Sequence, residues 1–336
     1  SRGNTEYVLG EYLNAKETYN EAFDIVRSLP KDKQLSKEGR AYLMMGYAFA
    51  LASTGKSETA RKMLNQLGPY FEKKGKYFEQ AQIVNALGVI ECNEDNYYKA
   101  LPYFTKAHDI QGLLNPHRPR LEMYILRNLA GCEFRLGKYR ESYSHLKNVS
   151  SIFNKKEIDK GYGLEKTRSY VALAEAALKM DDLATAKRFI DASLKLGERF
   201  KDDASLWRAH TLNSQVLISE KKTEEAKQSL KHALSHFRSP QAGFFPAVEH
   251  IVFPTSRMDF GMQLVALTAS QGMTEQALLV AEQLKEEKLI NAWLVGKGTE
   301  LKPADREIYY DLMNTRAHLH AAEQSTTPDK LTKEWG

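Results

Sequence analysis

The chain has 336 residues, 42% of them hydrophobic and 27% charged, with a net charge of +5. That apolar content excludes an intrinsically disordered chain, and the small basic excess, scattered among acidic residues, gives no footprint for nucleic acid. No secretory signal opens the sequence and its longest apolar run, Tyr42 to Ala52, is too short to span a bilayer, so a cytoplasmic protein with no membrane partner is expected.

Taken in order, residues 3 to 30 read as a helical hairpin turning near Lys16 to Thr18 and ending at Pro30, which cannot continue a helix. The next hairpin runs from Lys37 to Lys73 with Gly55 at its turn, and the one after from Tyr77 to about Leu113. In that third hairpin Val84, Leu87 and Gly88 share one apolar face, Asn93 to Asn96 break the pattern, and Tyr97, Ala100, Phe104 and Ala107 resume it at helical spacing. The segment Asn115 to Arg120, with two prolines, reads as a rigid connector. Further hairpins follow over Leu121 to Phe153, Leu164 to Phe200 and Ala204 to Phe237.

Regularity breaks over Arg238 to Pro254, where three prolines interrupt an aromatic stretch and exclude a regular helix. This insertion, near 238–255, reads as a loop folded over the core or a docking element. A seventh hairpin starts near Ser256 and turns at Gly272, with Ala277, Leu284, Leu289 and Trp293 on its second helix. Residues 301–324 read as a terminal capping or docking helix opened by Pro303, and 325–336 as a polar tail.

The hairpins are copies of one unit. Small residues pair as Gly10 and Ala22, Gly46 and Ala60, Gly88 and Ala100, Ala130 and Ser142, Ala174 and Ala186, Ser214 and Ala226, twelve apart in five of the six pairs. Four residues after each second member stands an apolar side chain: Val26, Leu64, Phe104, Leu146, Ile190 and Leu230. Length alone would suggest about two domains, but stacked units grow by adding neighbours and not by enlarging one core.

This pattern resembles the tetratricopeptide (TPR) family. Its units, 38 to 44 residues apart, exceed the usual repeat of ~34 and are similar to those of kinesin light chain and bacterial signalling regulators. The resemblance implies an all-α TPR-like helical-hairpin solenoid over residues 1–300, a right-handed superhelix of about seven repeats of roughly 40 residues plus a terminal helix. It also implies a concave groove lined by first helices, where Gln82, Asn85, Asn93, Tyr124, Arg127, Asn128, Phe134, Arg135, Lys179, Arg208 and Gln215 should face a protein or peptide partner. Asparagine amides pair with a peptide backbone and arginines with carboxylates, so a polar or acidic segment suits that set. As solvent-facing residues they should add little to stability.

A narrower resemblance lies farther on. Ala277, Ala281, Glu282, Lys285, Leu289, Leu294 and Gly298, then Leu301, Pro303, Arg306, Glu307, Leu312, Arg316 and Leu319, resemble the segment joining TPR repeats to a caspase-like CHAT peptidase domain. That resemblance implies a sensor region for a linked protease, with Trp293, Tyr309 and Met313 as candidate docking residues for the effector. The alternative is a stand-alone TPR adaptor or peptide-sensing regulator.

No nucleotide loop, HExxH motif, paired-cysteine site or nucleophile elbow occurs, so neither catalysis nor a cofactor is expected. The nine histidines look dispersed along the chain and suggest no metal site. Cys92 and Cys132 should be buried as small apolar residues.

Overall fold

The computed structural model describes residues 2, 12–30, 35–54, 56–153, 162–238 and 257–297, with the backbone alone at 12–14, 257 and 286–297. Among these residues the regular elements are all helices: α1 Tyr12–Ser28, α2 Lys37–Ser53, α3 Ser57–Lys73, α4 Tyr77–Asn93, α5 Tyr97–Gly112, α6 Pro119–Arg135, α7 Tyr139–Phe153, α8 Gly163–Lys179, α9 Leu183–Phe200, α10 Asp203–Ser219, α11 Thr223–Phe237, α12 Arg257–Ser270 and α13 Thr274–Lys297. From α2 onward they pair into the hairpins that the sequence pattern predicts. None is long and apolar enough to cross a membrane.

The same turn closes hairpin after hairpin. The residue after the last helical turn adopts a left-handed conformation at Gly75, Asp95, Gly137, Asp181, Lys201, Lys221 and Gly272, with φ between 52° and 76°. The next backbone N–H then reaches back five residues, as in Lys76 to Phe71 at 3.0 Å, Asn96 to Glu91 at 2.8 Å and Lys138 to Glu133 at 2.9 Å. This Schellman arrangement satisfies carbonyls that the helix end would leave orphaned and reverses the chain within three residues. Glycine has no Cβ to clash there, whereas the aspartates and lysines carry a steric cost.

The described residues fall into two compact units, one drawn from residues 1–192 with 245–260 and the other from residues 193–244 with 261–336. In the first, a large side chain of a second helix inserts against a glycine of a first helix at two places. Phe104 of α5 lies where a side chain on Gly88 of α4 would go, 2.6 Å from the position a Cβ would take. Tyr19 of α1 occupies the same space against Gly46 of α2. Ala60, Ala100, Ala130, Ser142, Ala174 and Ala186 are all fully buried, as the repeat register requires. Leu64, Phe71, Ile83, Ile90, Phe104, Met123 and Ile125 fill the layers between them.

In the second unit Leu284 of α13 covers Gly261 of α12 in the same way, and between hairpins the order reverses, Leu206 of the first helix α10 covering Gly197 of the second helix α9, each 2.8 Å from the position a Cβ would occupy. Ser214 and Ala226 are fully buried, and Trp207 meets Phe237 edge to face at 5.1 Å. Burying such aromatic pairs removes large apolar areas from water.

Three expectations change. The turn expected at Lys16 to Thr18 lies inside α1, because Ala15, Lys16, Glu17 and Thr18 contain no breaker and Ala15 and Tyr19 are both buried on one helical face. The expected connector ends sooner, since Pro119 opens α6 as its first residue, where a missing N–H costs nothing. Gly88 accommodates the ring of Phe104, so the close approach involves that ring as well as Ala100. The insertion at 239–255, the terminal helix at 301–324 and the tail at 325–336 lie outside the described residues, as do the side chain of Trp293 and all of Tyr309 and Met313. Cys92 and Cys132 are buried free thiols, as expected, with Cys132 Sγ donating to the Tyr97 carbonyl at 3.2 Å.

Candidate functional site

Helices α4 and α6 are the first helices of neighbouring hairpins, and their polar residues meet in the first unit. Asn128 Nδ2 donates to Asn85 Oδ1 at 2.9 Å, linking the two helices side chain to side chain. Asn128 is buried, and its own carbonyl oxygen accepts no hydrogen bond. One helix end away, the side-chain oxygen of Asn93 is likewise buried without a donor. Such orphaned acceptors are uncommon in folded proteins, since each forfeits the hydration it had in the unfolded chain.

Arg127 precedes Asn128 and is also buried, at 6% exposure. Burial pulls its pKa down to about 10, helped by the like charge of Arg168 on α8 and opposed by Tyr124 and Glu165. The guanidinium therefore stays charged at neutral pH. Tyr124, one turn earlier, is 42% exposed and gives this cluster an outward aromatic face. Gln82, on the same helix as Asn85, is half-buried.

Other predicted groove residues are placed differently. Phe134 is buried against Tyr139, ring centroids 5.1 Å apart, and belongs to the core of its own hairpin. Arg135 sits at the end of α6 over the Tyr97 ring at 5.0 Å, and its Nη1 pairs with Asp259 Oδ2 at 2.6 Å. Lys179 is exposed at the end of α8. In the second unit Arg208 is 1% exposed beside the Trp207 ring, and Gln215 Nε2 donates to Gln263 Oε1 at 3.3 Å. The expectation that Arg127 and Asn128 face solvent and add little to stability is thus corrected: in these stacked hairpins the neighbouring first helix covers them.

The second unit also holds a cluster that reading along the sequence missed. His232 and His236 stand one helical turn apart on α11, and His210 of α10 lies beside both. The i, i+4 spacing of His232 and His236 was visible in the sequence; its partner on α10 was not, because the pairing is made by the hairpin.

The sequence matches no known family model and no curated protein. Solved structures do match its fold. The apo form of RapI superposes with a TM-score of 0.64 at 15% identity, over 85% of this chain and 95% of that one. The apo form of the quorum sensor NprR from B. thuringiensis gives 0.64 at 13% identity, over 85% and 74%. A Rap protein complexed with competence and sporulation factor gives 0.61 at 15% identity, over 87% and 74%. With the hairpin register described above, these make the chain a TPR-like helical repeat protein.

Proposed function

We propose that this chain is a non-catalytic regulatory scaffold whose first unit takes a short, extended, acidic peptide segment along α4, α6 and α8. The observation that carries the reading is the pairing of a partly buried amide bridge, Asn85–Asn128, with a buried cation, Arg127, in neighbouring positions on first helices. An extended peptide exposes alternating N–H and C=O groups that a carboxamide matches on both counts, and its carboxylates complement guanidinium groups. Support also comes from the neighbours in fold: one Rap protein was solved with competence and sporulation factor, and the Rap conjugation gene regulator of plasmid pLS20 with the Phr* peptide.

The test is selection from a displayed library of random octapeptides on the immobilised chain. Enrichment of sequences rich in Asp and Glu, lost in the Asn128→Ala and Arg127→Gln variants, supports the reading. No enrichment, or binders indifferent to both substitutions, overturns it.

The effector is a separate question. The resemblance of Ala277 to Leu319 to the segment before a CHAT peptidase domain supports a linked protease that the scaffold holds or releases, and a stand-alone regulator is the alternative. Extending the reading frame distinguishes them, because a linked protease requires a Cys–His dyad encoded after Gly336.

A further inference from the structure

In the second unit the end of α9, the first half of α10 and the end of α11 bring carboxylates and imidazoles together. We infer that Glu198, His210 and His236 form a binding site for a divalent transition metal ion of the zinc class. The candidate ligand atoms of these three residues all lie within 4.8 Å of one another. His236 Nε2 stands 4.0 Å from Glu198 Oε1, too long for a hydrogen bond. A tetrahedral zinc with nitrogen and oxygen bonds of about 2.0–2.2 Å sets its ligands about 3.4 Å apart, so the group needs to close by little more than 1 Å or so. Glu198 can supply most of that movement, because its side chain is 68% exposed.

The orientation of the rings suits a metal. Asp203 Oδ1 accepts from His236 Nδ1 at 2.7 Å, which fixes a proton on that nitrogen and leaves Nε2, the nitrogen 4.0 Å from Glu198 Oε1, as the ligating atom. A carboxylate behind the distal nitrogen is the usual support for a ligating histidine, since it sets the tautomer and raises the basicity of the other nitrogen. His210 lies nearly parallel to His236, 4° between planes and 5.8 Å between centroids. His232 also stacks against His210, at 5.1 Å, but its Nε2 is engaged with Gln228 at 3.1 Å, so it buttresses the site without ligating.

Two imidazoles and one carboxylate favour zinc, cobalt or nickel over the hard oxygen-seeking ions, and three protein ligands leave a fourth position to water. Bound there, the ion ties α9 and α10 to α11 by three bonds. This proposal is independent of the peptide reading, because none of its residues belongs to the polar cluster of α4 and α6.

The experiment is a titration of the EDTA-treated, dialysed chain with Co²⁺, read in the visible spectrum, followed by displacement with Zn²⁺. One equivalent should bind with the intense d–d bands of a four-coordinate ion, and Zn²⁺ should remove them. His236→Gln and Glu198→Gln should each weaken Co²⁺ by at least about 10-fold, and Asp203→Asn, acting as a positioning residue, by about 10- to 100-fold. Glu198→Gln is the decisive variant, since its exposed side chain can change without loss of the fold, which far-ultraviolet circular dichroism confirms. Absence of the bands at tenfold excess Co²⁺ overturns the proposal. So do bands that survive both Glu198→Gln and His236→Gln, or bands with the sulfur charge transfer that Cys92 or Cys132 would give.

Discussion

Asn128 does two jobs at once. Its amide nitrogen holds Asn85 across two helices, and its oxygen stays unpaired in a buried position. Asn128→Ala removes the donor and leaves the Asn85 oxygen partly buried without it, at a cost of about 1–3 kcal/mol. A lowered thermal midpoint together with at least a tenfold loss of peptide affinity is the expected outcome, the two measured on one preparation. Loss of stability with unchanged affinity would make the amide bridge purely structural. The other residue with a distinct prediction is His210, whose folded pKa of about 4 lies below its ordinary 6.5. The unfolded chain then takes up the proton first as pH falls, so the contribution of neutral His210 is complete above pH 6.5 and lost on the way down to 4. Denaturant melts in EDTA should show about 2 kcal/mol lost over that window, allowing for partial exposure, and His210→Gln should flatten that slope. An equal slope in the variant would assign the loss to other groups.

At the scale of helices, stability rests on small residues and on turns. Gly88→Ala places a methyl 2.6 Å from Phe104 Cε1, closer than real contacts allow, so the ring must move. The expected cost is about 1–3 kcal/mol despite the better helix propensity of alanine, and a chemical melt measures it. A stabilised variant would show that the Phe104 ring yields freely. Lys221 lies in the left-handed region at φ 62° with no glycine to relieve it. Lys221→Gly should raise stability by about 0.5–1 kcal/mol, the steric gain exceeding the added freedom of the unfolded chain. This level was also the most legible in the sequence. The twelve-residue pairing of small residues and the apolar side chain four positions later are set by how two helices meet, and both reappear as Gly88, Ala100 and Phe104 in contact layers. The turn misplaced to Lys16 came from extending that spacing into a segment with no breaker. Burial of Arg127 and Asn128 was not legible, because it depends on the neighbouring hairpin and not on the helix that carries them. The histidine cluster failed for the same reason: spacing along α11 is visible, but proximity to α10 and α9 is created by folding.

For the whole molecule, the sequence places about seven copies of one hairpin in line, and the structure shows two compact units built from the same hairpin packing. Repeats of this kind contribute a surface rather than a pocket, and function resides in which first-helix side chains are polar. In the first unit those side chains are amides and guanidiniums; in the second, His210 of a first helix meets His236 and Glu198 of the flanking second helices. The two proposals accordingly assign peptide recognition to the first unit and a metal tie to the second. The most direct test of the scaffold reading is a photo-crosslinking experiment with an acidic peptide from the library selection, carrying a benzophenone side chain, and mass-spectrometric mapping of the attachment. Attachment within Tyr77–Asn93 and Pro119–Arg135, competed by the unlabelled peptide and reduced at least tenfold in Asn128→Ala, is the predicted result. Specific attachment confined to the second helices Ser57–Lys73, Tyr97–Gly112 or Tyr139–Phe153 would contradict it.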